Sequence, residues 1–215
     1  MAQRTIHYVF GELLLRECTV RDRKRFLLGS ILPDAYCASD QRKLAHFTNR
    51  STPGLMFFDF DAFRLRFGER MAADDLYLGY YMHLVEDNFY RVFFRERVGF
   101  AIDNQKPEQV ARLHLDYTLL NAYIVERYGV RNEVERPADF ESEPINEIAR
   151  FDLDAFLEAF AGDFTRRAEG RTLYLTETVL DEFLDRYTAP CLQELQTVRA
   201  GGRGLIAADM AWTRP

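Results

Sequence analysis

The chain is poor in cysteine, histidine and tryptophan, with three, four and one of them among 215 residues. Cys18, Cys37 and Cys191 are scattered without a Cys-x-x-Cys pair, which excludes a disulfide framework and a thiolate zinc site and leaves them to pack as small apolar side chains. No apolar run approaches the roughly 18 residues that a membrane-spanning helix needs, so no transmembrane segment is expected. The start, Met1 to His7, has neither the apolar core nor the small-residue cleavage site of a secretory signal, and the expected location is the cytoplasm. Positive charge is not in excess: 28 Lys and Arg stand against 34 Asp and Glu, a net charge of −6. Nucleic acid is therefore not expected as a stable partner, because holding a phosphate backbone takes an excess of cations. Local basic stretches remain, notably Arg21-Asp22-Arg23-Lys24-Arg25, and read as a solvated face.

What the chain does have is aromatic bulk and helical periodicity. Hydrophobic residues make up 47%, with 18 Phe and 11 Tyr, enough to build the core of one domain from broad aromatic faces. His7, Phe10, Gly11 and Leu14 follow the i, i+3, i+4, i+7 rule of a first helix, so His7 belongs to its inward stripe. A second helix from about Arg21 should stop at Gly29 to Pro33, leaving Asp34 just past its end. Residues 38 to 56 read as an irregular connection carrying His46 and closed by Ser51-Thr52-Pro53-Gly54, and a loop of that length suggests a site-building segment. A short helix over Asp59 to Phe67 precedes a central helix over Ala73 to Arg97, with Leu76, Tyr80, His83, Leu84, Asp87 and Arg91 on one stripe. Further helices are expected over Pro107 to Tyr128, Glu143 to Arg150, Asp152 to Ala168 and Tyr174 to Arg199. Strand-like alternation is scarce. The expected architecture is an all-α, single-domain helical bundle over residues 1–199 with a metal site between helices, followed by a loosely held tail at 200–215.

The mark of chemistry is His83 and Asp87. At i and i+4 of one helix their Cβ atoms lie about 5 to 6 Å apart on a face that should be buried, close enough to share one metal ion. His7 and His46 add two more imidazoles on inward or loop positions, and Asp34 a second carboxylate. Nitrogen and carboxylate donors without thiolate suit Zn2+, with Mn2+ or Fe as other occupants. Five such groups exceed what one catalytic zinc takes from protein, so two ions sharing a carboxylate are the natural arrangement. Taken singly, each residue also has a plain structural role, as a hydrogen-bonded core histidine or a helix-capping aspartate.

In this order His7, Leu28-Gly29-Ser30-Ile31-Leu32-Pro33-Asp34, His46-Phe47 and Gly79 to Asp87 resemble the zinc-dependent phospholipase C family over roughly the first 90 residues. The segment Leu113-His114-Leu115-Asp116-Tyr117 is similar to one in the short cytoplasmic bacterial branch of that family. The resemblance implies a bundle of the phospholipase C/nuclease type. It implies that Asp34, His46, His83 and Asp87 surround one zinc, that His7 with a bridging Asp87 holds a second, and that Asp34 is the general base. Secreted members also use the amino group and carbonyl of an N-terminal tryptophan, whereas the only tryptophan here is Trp212. They hold a third zinc through two further histidines and a glutamate, and only His114 remains for that role, so three ions are not expected. His114 and Asp116 are candidates for a further site or for supporting groups, and Arg91, one turn beyond Asp87, for binding a substrate phosphate. The expected function is hydrolysis of a phosphodiester or phosphomonoester by a metal-activated water, the substrate being a small phosphorylated molecule rather than a membrane lipid. The alternative is a non-catalytic binding or regulatory module in which the metal is a structural staple.

Overall fold

The computed structural model describes residues 2–49, 55–98, 106–206, 210 and 212–213; the expected turn Ser51-Thr52-Pro53-Gly54 lies outside the described residues. Within them the chain forms eight α-helices: α1 (Arg4–Glu17), α2 (Arg23–Ile31), α3 (Arg42–Ala45), α4 (Phe60–Ala73), α5 (Asp75–Arg97), α6 (Pro107–Tyr128), α7 (Leu153–Thr165) and α8 (Glu177–Arg199). Three short antiparallel strands, β1 (Thr48–Asn49), β2 (Leu55–Phe58) and β3 (Trp212–Thr213), pair in the order β1-β2-β3, with Thr48 opposite Phe58 and Met56 opposite Trp212. The fold is all-α in class.

Helix α5 is the axis of the molecule. One inward stripe was expected, yet every residue from Asp75 to Asn88 is buried. A helix enclosed on all sides belongs to the centre of a core, and α1, α2, α4 and α8 pack around this one. Phe63 stacks on Tyr80 and Phe67 packs on Tyr77 from α4, while Phe183 and Tyr187 of α8 pack on Phe93.

The closest approach is between α2 and α5. A Cβ at Gly29 would come 2.1 Å from the Leu76 carbonyl oxygen, and one at Gly79 would come 2.1 Å from that of Phe26. Gly29 was expected to end α2. Instead it sits inside the helix, which runs to Ile31 and tightens into a 3-10 turn over Leu32–Ala35. The absent side chain here serves backbone contact between helices and leaves the helix unbroken.

Local chemistry sets the other boundaries. Asp74 ends α4 and starts α5 by accepting from the Leu76 N–H, so the expected short helix reaches Ala73 and the central one begins at Asp75. Asp59, Asp152 and Thr176 cap α4, α7 and α8 in the same way. Gly129 closes α6 with a φ of 64°. The stretch Glu143 to Arg150 holds the 3-10 turn Pro144–Glu147 rather than an α-helix, and the 38 to 56 connection contains α3 and the first strand pairing.

Two further expectations are corrected. Arg25 is not part of a solvated face, because its guanidinium joins Asp74 to Glu143. The tail is tied down where it is described: the Leu205 N–H donates to Glu194 at 2.9 Å, the Leu205 carbonyl accepts from Arg64 at 2.6 Å, and β3 pairs with β2. Of the cysteines, Cys18 and Cys191 are buried as expected and Cys37 is exposed. Among the described residues no helix is long and apolar enough to cross a membrane.

Candidate metal centre

The five expected ligands come from four separate pieces of chain. His7 stands on α1, Asp34 in the 3-10 turn after α2, His46 just past α3, and His83 and Asp87 on α5. All three imidazoles and Asp87 are fully buried, whereas the Asp34 side chain keeps 15% of its surface and forms the open side of the cluster.

Each ring is held by its Nδ1. His83 Nδ1 lies 2.8 Å from the Ser30 carbonyl and His46 Nδ1 lies 2.9 Å from that of Arg42. A carbonyl only accepts, so these nitrogens carry the hydrogen and, in a neutral ring, the Nε2 lone pair turns inward. His7 Nδ1 meets the Glu86 carboxylate at 2.7 Å and its ring stacks on His83 with centroids 3.7 Å apart.

The inward atoms then meet. His46 Nε2 and His83 Nε2 are 3.3 Å apart, and His46 Nε2 is 3.3 Å from Asp34 Oδ1. Asp87 Oδ2 lies 3.8 Å from both His46 Nε2 and His83 Nε2. On the other side, His7 Nε2 is 3.5 Å from Asp87 Oδ1 and 3.8 Å from Asp34 Oδ2. Both aspartates thus turn one oxygen toward His46 and the other toward His7. The Ala2 N–H donates to Asp87 Oδ1 at 3.0 Å.

Burial alone would drive these groups to their neutral forms, but they perturb one another. Burial disfavours a charged His7, yet Glu86, followed by Asp87 and Asp34, outweighs it and raises the ring to about 9. His83 goes the other way, lowered to about 3 by burial and by the neighbouring His7 charge. Asp34 and Asp87 are held below the usual carboxylate range, the imidazoles overcoming the burial penalty in both.

This donor set fits a divalent cation. His7 Nε2 and Asp87 Oδ2 are buried with no hydrogen-bond partner, a costly state that a metal ion relieves. Two nitrogens bound to one tetrahedral zinc at about 2.05 Å lie about 3.3 Å from each other, the separation found between His46 and His83. Two groups can form a site, His7 with His83 and Asp87, and Asp34 with His46 and His83. No family model, characterised protein or solved structure matches the chain.

The remaining candidates lie elsewhere. His114 is exposed on α6 and its ring touches only the edge of Tyr117 among the ring contacts of the described residues. Asp116, fully buried, accepts from the backbone N–H groups of Leu173, Tyr174 and Leu175 and pairs with Arg112, so it anchors the loop before α8. Arg91 is half-buried beyond Asp87, lowered to about 10 by burial first and by the nearby Arg95 second.

Reasoning from sequence missed Glu86, which grips His7. The signal was there: a carboxylate beside Asp87 in a helix otherwise filled with apolar and aromatic residues needs a partner. The carbonyls of Ser30 and Arg42 left no trace in side-chain chemistry. Tyr80 extends the support, its hydroxyl donating to the Ala45 carbonyl next to His46.

Proposed function

We propose that the chain is a metal-dependent phosphoesterase that hydrolyses a small phosphodiester or phosphomonoester. The observation that carries this reading is the orientation of the three imidazoles, each fixed through Nδ1 and each turning Nε2 toward two carboxylates. Such outer hydrogen bonds set the tautomer and basicity of a ligating histidine. Zn2+ is the first choice for this donor set, with Mn2+ or Fe as the other candidates, and two ions match the two-sided presentation of Asp34 and Asp87. The motif resemblance to the zinc-dependent phospholipases C points to the same chemistry and to the same ligands.

Bound ions would supply a water ionised near neutral pH and positive charge beside a phosphoryl oxygen. The protein's own part falls to Asp34. Its carboxylate stays ionised and faces the opening, where it accepts a hydrogen from the attacking water and orients it for in-line attack. Burial of the other four groups keeps bulk water from the interior of the cluster, which strengthens every charge interaction there. That same burial favours a second reading, a closed structural metal in a non-catalytic module; it predicts ions that resist exchange and no turnover.

The test is turnover of p-nitrophenyl phosphate and bis-p-nitrophenyl phosphate by the zinc-loaded chain, with chelation and re-addition, beside His83→Ala. Activity that falls with chelation, returns with metal and is absent from folded H83A supports the phosphoesterase. Tightly bound metal with no turnover of either ester, and loss of folding in H83A, supports the structural staple.

A further inference from the structure

The three imidazoles of the cluster are not held alike. His46 and His83 give their Nδ1–H to the backbone carbonyls of Arg42 and Ser30, which are neutral acceptors. His7 alone meets a charged group, its Nδ1 lying 2.7 Å from Glu86 Oε2. Glu86 stands on α5 immediately before Asp87, and its side chain keeps 3% of its surface. Its other oxygen, Oε1, has no hydrogen-bond partner among the described residues. A carboxylate withdrawn from water to meet a single partner is costly, and an apolar pair of similar volume is often as stable or more so. The contact does not complete His7 either, since His7 Nε2 is itself buried and unpartnered among the described residues.

Counting lone pairs shows what His7 lacks. His83 belongs to both groups of residues able to hold an ion, one with His7 and Asp87 and the other with Asp34 and His46. With its Nδ1–H given to Ser30 it keeps one lone pair, on Nε2, and one lone pair serves one ion. The 3.3 Å between His83 Nε2 and His46 Nε2 places it on the His46 side. His7 Nε2 is then left with carboxylate oxygens, Asp87 Oδ1 at 3.5 Å and Asp34 Oδ2 at 3.8 Å, while both aspartates turn their other oxygen toward His46. An ion there has one imidazole where its neighbour has two, so its hold depends on how strongly that imidazole donates. A carboxylate on Nδ1 strengthens the opposite nitrogen more than a carbonyl does, and it adds negative charge beside the cation.

We infer that Glu86 is the positioning residue of the His7 subsite: it fixes His7 with Nε2 toward the aspartates and supplies the charge that lets this poorer donor set hold its ion, while the subsite of His46 and His83 does without it. This rests on the metal-binding part of the reading above and requires metal uptake alone, not turnover.

The test is calorimetric titration of zinc into the metal-free full chain, into Glu86→Gln, His7→Ala and the double variant, with folding checked by circular dichroism. The wild type should take up zinc in two steps. In E86Q, whose amide oxygen still accepts from Nδ1, the weaker step should lose about 10- to 100-fold in affinity while the tighter step stays as it was. H7A should lose the same step, and adding E86Q to H7A should change neither step further, because Glu86 acts only through His7. A merely structural carboxylate would move both steps or neither. A folded E86Q with both steps at wild-type strength, or with both weakened alike, therefore overturns the role of Glu86. Should E86Q not fold, E86M, apolar and of similar length, is read in its place against the same outcomes. Two-step uptake without hydrolysis of either ester removes the phosphoesterase reading and leaves Glu86 in its role, whereas a wild type that binds no zinc overturns both.

Discussion

His46 and His83 bring their Nε2 atoms within 3.3 Å of each other although each ring donates its Nδ1–H to a backbone carbonyl. Were both rings neutral, they would face each other lone pair to lone pair, a contact that a cation between them would relieve. Zinc should therefore stabilise the folded chain by mass action, raising Tm with zinc concentration. In folded His83→Ala the zinc-dependent increment should disappear, which a thermal melt with and without zinc measures.

Metal uptake should release protons. His7, raised to about 9 in the metal-free protein, is protonated at pH 7 and must free its Nε2 to bind, whereas His83, lowered to about 3, is already neutral. Calorimetric titration of zinc at pH 7 in buffers of different ionisation enthalpy should show about one proton released per chain from His7, falling away above pH 9. The sign for stability follows: the raised pKa of His7 stabilises the metal-free fold below its ordinary value of 6.5, and that contribution is lost as pH rises through 9.

Gly79→Ala should damage fold and site together. Its Cβ would meet the Phe26 carbonyl at 2.1 Å, so α2 and α5 must separate, costing about 3 kcal/mol or more. Separation also draws the Ser30 carbonyl away from His83 Nδ1. Urea unfolding should show the loss, and zinc affinity should fall with it.

Asp116→Ala tests the opposite case. Removing the acceptor of three backbone N–H groups should cost about 3 kcal/mol in urea unfolding. Zinc content should be unchanged, since the carboxylate serves the loop before α8. A parallel loss of zinc would place Asp116 in the metal centre after all.

Asp34→Asn separates water orientation from folding. Among the five candidate ligands only this side chain is open to solvent, so unfolding should change little while kcat for the phosphoester falls about 100-fold or more. An unchanged kcat would remove Asp34 from the reaction.

The helices and the five ligand candidates were legible because both are written in side chains. Periodicity placed His7, His83 and Asp87 inward, and the caps at Asp59, Asp152 and Gly129 lie where capping chemistry puts them. Gly29 misled for a physical reason: glycine is read as a helix breaker, but its lack of a Cβ serves close helix crossing equally well, and only the partner carbonyl of Leu76 decides between them. Pro144 likewise opens a 3-10 turn in a stretch whose spacing suggested a helix. His114 and Asp116 carried ligand chemistry without ligand geometry, since α6 turns one to solvent and the other to the backbone of residues 173–175. The grips of Ser30 and Arg42 on the imidazoles are backbone contacts across the fold, which no residue type announces.

Everything proposed for this chain depends on the cluster of His7, Asp34, His46, His83 and Asp87 binding metal. Elemental analysis of the untagged full chain by inductively coupled plasma mass spectrometry, before and after chelation and reconstitution, tests it most directly. About two ions of zinc, manganese or iron per chain are expected, lost on chelation and regained on addition. A folded chain that holds no metal even after reconstitution would contradict it.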